Sequence, residues 1–329
     1  MPQYWWVNHK KTFKHEIEGQ YLWSPKTNKG GIRSEYYKNM RRASPGDLVL
    51  SFANQTISYV GRVAEFAFTA AKPSEFGTAG ANWSNEGWFL PVFWTRLEPP
   101  VRPKELINLL IPLLPRKYSP IRTDGDGNQV YLTNISKPVF ETIVSAATFD
   151  HELVVRGGAN SLSFQAVKDR LDDDVEKEIK ADLNLDDTTR GAVIQARRGQ
   201  GKFRANVEAI ESACRLTGVT NSTLLIASHI KPWRSCQTAQ ERLDGTNGLL
   251  LTPDADLLFD RGFVTFEDNG KVRVSPRFNR DDLRRLGLGE SAWKQLGFSE
   301  APLAWQEDTG FSNAQRNYLA YHRTEVWVS

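Results

Sequence analysis

Cysteine is scarce in this sequence: among 329 residues there are only Cys214 and Cys236. Two thiols cannot build a four-thiolate zinc site, and they are far from the disulfide density of a small secreted scaffold. Both are read as reduced thiols, and no zinc knuckle is expected. Long apolar runs are missing as well. The best candidate, residues 106–114, is broken by Asn108 and Pro112 and falls short of the roughly 20 residues that span a bilayer, so no membrane partner is expected. The opening MPQYWWVNHKK has no apolar core of a signal peptide, and a cytoplasmic protein is the expectation. Net charge is small, +3 from 42 basic and 39 acidic residues, so bulk electrostatics alone does not announce a nucleic-acid partner. No internal repeat or low-complexity tract is present.

What the sequence does have is uneven placement of charge and aromatics. Residues 169–187 carry nine acids, from Asp169 to Asp187, and then Arg190, Arg197, Arg198, Lys202 and Arg204 follow with no acid among them. That switch of sign suggests a basic surface at the start of a second domain, although a solvated face has the same pattern. The first ~145 residues read as strands and turns: 4–8, 46–53, 57–68 and 88–97 are β-branched and aromatic runs. Helices are expected at 104–114, 137–147 and 163–183, a linker at 184–190, and a helix at 201–216 in which Phe203, Val207, Ile210 and Cys214 keep helical spacing. From 224 the order is strand, irregular loop, strand, helix, hairpin. Thr252-Pro253 is a fitting helix start, hydroxyl before proline, and Asp268-Asn269-Gly270 is a hairpin turn. The expected division is residues 1–147, a helical acidic linker over 148–189, and 190–329.

Hydrolysing a phosphodiester requires a base to deprotonate water, positive charge facing the phosphate, and rigid placement of both. A histidine on a strand, an asparagine closing a loop and carboxylates on the next helix can supply these in one small unit. The stretch ASHIKPWRSCQTAQERLDGTNGLLLTPDADLLFDRGFVTF (227–266) resembles the HNH endonucleases, with RRGQGKFR (197–204) and CRLTG (214–218) supporting the likeness. The resemblance implies a ββα-metal domain that cuts DNA. In it His229 is the general base, suited by an ordinary pKa near 6.5, and Asn247 holds the loop and the His229 ring. Asp256 is the first choice of metal ligand, with Asp260 one turn later on the same face. The position before the base, often Asp or His in such enzymes, is Ser228, a weaker ligand for a hard cation; Asp244 or water is then needed to complete the shell. One divalent metal per site is implied, Mg²⁺ by default, with Mn²⁺, Co²⁺ or Ni²⁺ possible. The plainer readings stay open: first-turn acids also favour a helix dipole, and Asp260 suits a structural role. Arg197, Arg198, Lys202, Arg204, Lys231 and Arg234 are the candidates for DNA phosphate contacts.

Six of the ten tryptophans lie in the first hundred residues. Trp23 and Trp83 stand in polar, loop-like surroundings, where an aromatic can wall an extruded base. The pattern YWWVN…YLWSPK…YYKNMRRASPGDLVLSF…YVGRVAEFA resembles an EVE domain, of the PUA-like barrels that include the YTH readers of methylated RNA. It implies an α+β chain: an N-terminal PUA-like (EVE) β-barrel with flanking helices, then the HNH domain. By motif position Trp23, Ser51 and Phe52 would line a modified-base pocket, with Trp83 or Trp88 opposite and Tyr37 or Asn39 for polar contacts. Together the halves resemble the EVE–HNH modification-dependent restriction endonucleases. The implied substrate is double-stranded DNA with 5-methyl- or 5-hydroxymethylcytosine, and a homodimer is expected because one HNH site cuts one strand. Two alternatives remain: an HNH endonuclease indifferent to base modification, and a non-catalytic modified-base reader.

Overall fold

The computed structural model describes residues 2–27, 31, 34–148, 164–288 and 310–329. Its contacts divide the chain into two compact units, Met1–Asp169 and Arg170–Ser329. Residues 149–163, within the expected linker, lie outside the described residues.

In the first unit the elements run β1 (Tyr4–Asn8), α1 (Phe13–Glu18), β2 (Tyr21–Pro25), α2 (Glu35–Arg42), β3 (Leu48–Ala53), β4 (Thr56–Val63), β5 (Phe68–Ala71), β6 (Glu86–Val101), α3 (Ile107–Leu110), β7 (Leu132–Ile135) and α4 (Lys137–Val144). The strands form one curled, half-barrel sheet in the order β2-β6-β4-β3-β1-β7, with β5 also on β6. β1 and β3 pair in parallel and the other pairs are antiparallel. Side chains alternate across a strand, and here both faces are covered. Trp5 and Val7 enter a core with Leu22, Met40 and Trp88, whereas Trp6 enters another with Leu50, Phe52, Leu97 and Phe140 of α4. That is why two adjacent tryptophans are both buried. The helix expected over 104–114 is instead a 3₁₀ turn, Pro103–Leu106, followed by the single turn α3.

The division falls within α5 (Phe164–Ala181), and the second unit continues with α6 (Asp187–Ala196), α7 (Gly201–Glu208), β8 (Ile226–His229), α8 (Ala239–Leu243), β9 (Gly248–Leu251), α9 (Pro253–Asp260), β10 (Val264–Phe266), β11 (Val272–Val274), α10 (Arg280–Arg285) and α11 (Asn313–Tyr321). The expected linker at 184–190 runs into α6, because the Asp186 side chain caps the Thr189 amide and starts a helix. The helix expected to 216 stops at Glu208; Val207 and Cys214 are buried while Ile210 is exposed. Thr252 holds the N-cap position of α9, but its hydroxyl makes no capping bond and sits 3.9 Å from Cys214 Sγ instead. The core joins Phe203 and Val207 of α7, Leu249–Leu251 of β9, Ala255 and Phe259 of α9, and Leu319 of α11.

Candidate active site

The site is an antiparallel hairpin followed by a helix. β8 and β9 pair Ser228 with Leu249 and His229 with Gly248, and α9 packs against both strands. Between the strands, residues 231–247 form a compact loop with a 3₁₀ turn, the short helix α8 and a second 3₁₀ turn.

Asn247 fastens that loop. It is fully buried; its Oδ1 accepts from the Lys231 amide at 2.8 Å, and its Nδ2 donates to the Glu241 carbonyl at 3.1 Å and the Lys231 carbonyl at 3.3 Å. The Asn247 carbonyl also accepts from the Ile230 amide. Asn247 therefore reaches His229 through the loop rather than by direct contact. The loop presents the Arg242 carbonyl 3.0 Å from His229 Nε2. A carbonyl can only accept, so Nε2 carries the proton and Nδ1 holds the lone pair. Arg242 is itself tied down: its guanidinium donates to the Cys236 carbonyl and lies over the Trp233 ring.

His229 also lies flat on Phe203, with ring centroids 3.7 Å apart and planes within 4°. Gly248 makes this approach possible, because a Cβ there would fall 2.3 Å from Val207 Cγ2 and 3.0 Å from Phe203 Cζ. Burial pushes the His229 imidazole down to about 4, which keeps it neutral at neutral pH. The Cys236 thiol, raised to about 12 by burial, is likewise uncharged; it neighbours Asn247 Nδ2 at 3.4 Å.

Asp256 and Asp260 occupy the half-buried face of α9, beside the buried Ala255 and Phe259. Ser228 is buried on β8. Asp244 is committed elsewhere: Oδ1 accepts from the Thr246 amide and hydroxyl, and Oδ2 from the Tyr318 hydroxyl at 3.0 Å. Among the described residues no group of three or more His, Cys, Asp or Glu side chains gathers as a metal site.

Four of the six basic candidates are engaged within the protein. Arg197 bridges Asp173 and Glu176, both at 2.7 Å; Arg234 meets Asp172 at 3.2 Å; Lys231 meets both Glu241 oxygens at 3.0 Å. Arg204 binds Glu208 and the carbonyls of Ser222 and Leu225. The acidic helix α5 thus neutralises part of the basic cluster that follows it. Lys180, with Arg197, holds the Glu176 carboxyl below its ordinary value. Arg198 and Lys202 are exposed.

In the first unit, Trp23 stands on β2 rather than on a loop. It is 1% exposed, packed on Phe76 and on the half-buried Trp83, 6.0 Å away. Trp88 is buried with Lys26 and Arg41 over its ring, 4.4 and 4.8 Å from the centroid. Asn39 donates to the Leu132 carbonyl and accepts from Arg42. Half-buried Tyr37 has its phenol pKa raised by desolvation. Ser51 Oγ lies 2.8 Å from His9 Nε2, and His9 Nδ1 meets Glu16, whose other oxygen receives the Tyr131 hydroxyl and the Trp23 amide. Glu16 thus joins Ser51, through His9, to the Trp23 strand, whereas Phe52 packs against Trp6 in the other core.

A ββα unit with a neutral histidine at the strand end, held by a loop that an asparagine closes, has the architecture of a nuclease domain. Residues 214–267 match the HNH endonuclease family model HNH_2, and the second unit accordingly carries an HNH endonuclease domain. No curated protein matches the chain. Solved structures similar to the N-terminal half include a Pseudomonas putida protein (12% identity, 43% of this chain and 97% of that one, TM-score 0.30). The ASCH protein of Zymomonas mobilis is another (6%, 44% and 96%, 0.29). A third is the YTH domain of a Zygosaccharomyces rouxii protein in complex with methyladenosine RNA (11%, 50% and 91%, 0.27). Among the described residues no helix is long and apolar enough to cross a membrane.

Phe203, Gly248 and the Arg242 carbonyl are the residues that sequence reasoning missed. Phe203 carried only a core signal, Gly248 only a turn signal, and a backbone carbonyl carries none.

Proposed function

We propose that the chain is a DNA endonuclease whose HNH domain hydrolyses a phosphodiester with His229 as general base, and whose first unit confines cutting to DNA bearing 5-methyl- or 5-hydroxymethylcytosine. The observation that carries the reading is the Nε2–H bond from His229 to the Arg242 carbonyl, which leaves Nδ1 as the proton-accepting nitrogen. Nδ1 takes the proton of the attacking water; the Phe203 face and the Arg242 carbonyl prevent the ring from rotating, so little reorganisation is needed. Asn247 keeps the Arg242 carbonyl in place.

Ser228 Oγ and the Asp256 and Asp260 carboxylates, all hard oxygens, would hold the cation. That set suits an ion such as Mg²⁺, which keeps several waters and takes further ligands from substrate phosphate. When bound, the ion offsets negative charge growing on the phosphate. Exposed Arg198 and Lys202 hold the flanking DNA backbone. Two copies of the chain, each nicking one strand, account for a double-strand break.

The test is digestion of one DNA fragment made with cytosine, 5-methylcytosine or 5-hydroxymethylcytosine, with Mg²⁺ or Mn²⁺ and an EDTA control. Metal-dependent cutting confined to modified DNA is expected. His229→Ala should lose about 10²–10⁴-fold in rate while still binding DNA. Equal cutting of all three fragments removes the modification dependence, and wild-type rates in His229→Ala remove the mechanism.

A further inference from the structure

Two basic segments flank His229, and one acidic helix holds both. The turn that carries Arg197 and Arg198 is packed onto β8: a Cβ on Gly199 would stand 2.4 Å from the carbonyl of Ala227, which lies on the same strand as His229. Arg234 stands on the 3₁₀ turn Trp233–Ser235, in the loop that presents the Arg242 carbonyl to His229.

Helix α5 meets these positions with one face. Asp173 and Glu176 both reach Arg197 at 2.7 Å, and Asp172 reaches Arg234 at 3.2 Å. Asp172 and Asp173 precede Glu176 by four and three residues, the spacings that share a helix face. Glu178 adds its charge to the field at Arg242. From Asp172 to Glu178, five of seven residues are acids. At about 1.5 Å of rise per residue this is roughly one negative charge per 2 Å, close to the ~1.7 Å per charge of duplex DNA. Lys177 pairs with Asp174, and Glu176 is shared between Arg197 and Lys180.

The helix is lightly anchored. Among the described residues of α5, Ile179 enters the core, with Val175 partly buried against it. The Asp173 side chain keeps 58% exposure while paired. Pairs open to solvent add little to stability, so a carboxylate that leaves Arg197 for water costs the fold little.

We propose that Arg197 and Arg234 belong to the DNA-phosphate surface beside His229, and that α5 occupies them in the free chain as an internal stand-in for the DNA backbone which duplex DNA displaces. The inference rests on the reading of the chain as a DNA endonuclease. It makes α5 a brake on binding and cutting.

The first experiment needs no variant: hydrogen exchange of the full chain in EDTA, with and without duplex DNA. Amides of residues 171–181 should exchange at least threefold faster with DNA; unchanged or slower exchange would overturn the displacement. The second measures duplex affinity against salt for Asp172→Asn/Asp173→Asn/Glu176→Gln. In wild type the released carboxylates take up cations that offset those DNA gives up. The variant should therefore bind at least tenfold tighter at equal salt, with the slope of log affinity against log salt steeper by roughly 2. A matched control, Glu267→Gln/Asp281→Asn/Asp282→Asn, changes net charge equally and takes acids from Arg273, Arg284 and Arg285; it should gain less than threefold. Adding Arg197→Gln/Arg234→Gln to the α5 variant should cancel its gain. Equal gains in the two triple variants, or a gain that survives loss of both arginines, would overturn the proposal. If the α5 variant does not fold, the wild-type exchange decides. Wild-type binding and cutting with no release of 171–181 would overturn the brake and leave the nuclease reading intact. Failure of both wild type and the α5 variant to bind any duplex would overturn both.

Discussion

His229 shows how one side chain's surroundings set its chemistry. An imidazole in water is half-protonated near 6.5, whereas burial, with the nearby Arg242 charge, depresses this one to about 4. Two consequences follow from the sign. The base stays neutral well into acid, so the cleavage rate should stay within about twofold between pH 7.5 and 5.5 as far as His229 controls it. A pH–rate profile with an acid limb centred near 6.5 would contradict this. For stability, the unfolded chain takes up a proton below about 6.5 that the folded chain refuses until about 4. The folded state therefore loses stability as pH falls through that window, by about 3 kcal/mol when complete. His229→Ala should flatten this part of the stability–pH curve, read by urea denaturation at pH 7 and pH 4.5.

At the scale of elements, the hairpin and α7 are fitted together by the absence of a side chain. Gly248 faces His229 across the ladder and also lets Val207 and Phe203 come within contact. Gly248→Ala should push α7 away, at a cost of about 1–3 kcal/mol from overpacking, and it should lower kcat more than it changes DNA affinity because Phe203 leaves the imidazole. Thermal melts and single-turnover cutting measure the two effects; wild-type turnover with a lowered melting temperature would mean that the stack is structural only. The helix α11 supports the 231–247 loop through Tyr318 and Asp244, and its Gln315 Nε2 separately donates to the buried Glu211 at 2.8 Å. His322, which follows α11, is structural: it bonds the Phe259 carbonyl and the Thr265 hydroxyl and lies flat on Phe259.

Across the whole molecule, each unit encloses its own apolar cores. Units with separate cores generally unfold as separate cooperative blocks, so calorimetry should resolve two transitions. Gly248→Ala should lower one of them and leave the other within about 1 °C of wild type. A single transition that moves as a whole would show that the units are energetically coupled. The split also matches the division of labour in the proposed function, recognition in one unit and hydrolysis in the other.

The local pattern of the sequence was enough to read β1, β3, β8, β9, α9 and the β10–β11 hairpin, because alternation, turn residues and a Thr-Pro helix start act over a few positions. It also pointed to His229 and Asn247 through a multi-part motif. Tertiary structure decided the rest. Trp23 looked loop-borne because polar residues follow it, but pairing with β6 buries it. The basic cluster looked free for DNA because its neutralising acids lie on a helix far back in the sequence: Asp173 and Glu176 stand 24 and 21 residues before Arg197, and Asp172 stands 62 before Arg234. The groups that orient the base, a carbonyl at Arg242 and a ring at Phe203, act through space from positions the chain brings together only on folding. Residue type determines what chemistry is possible at a position; burial and the neighbours supplied by distant segments determine which of those possibilities the protein uses.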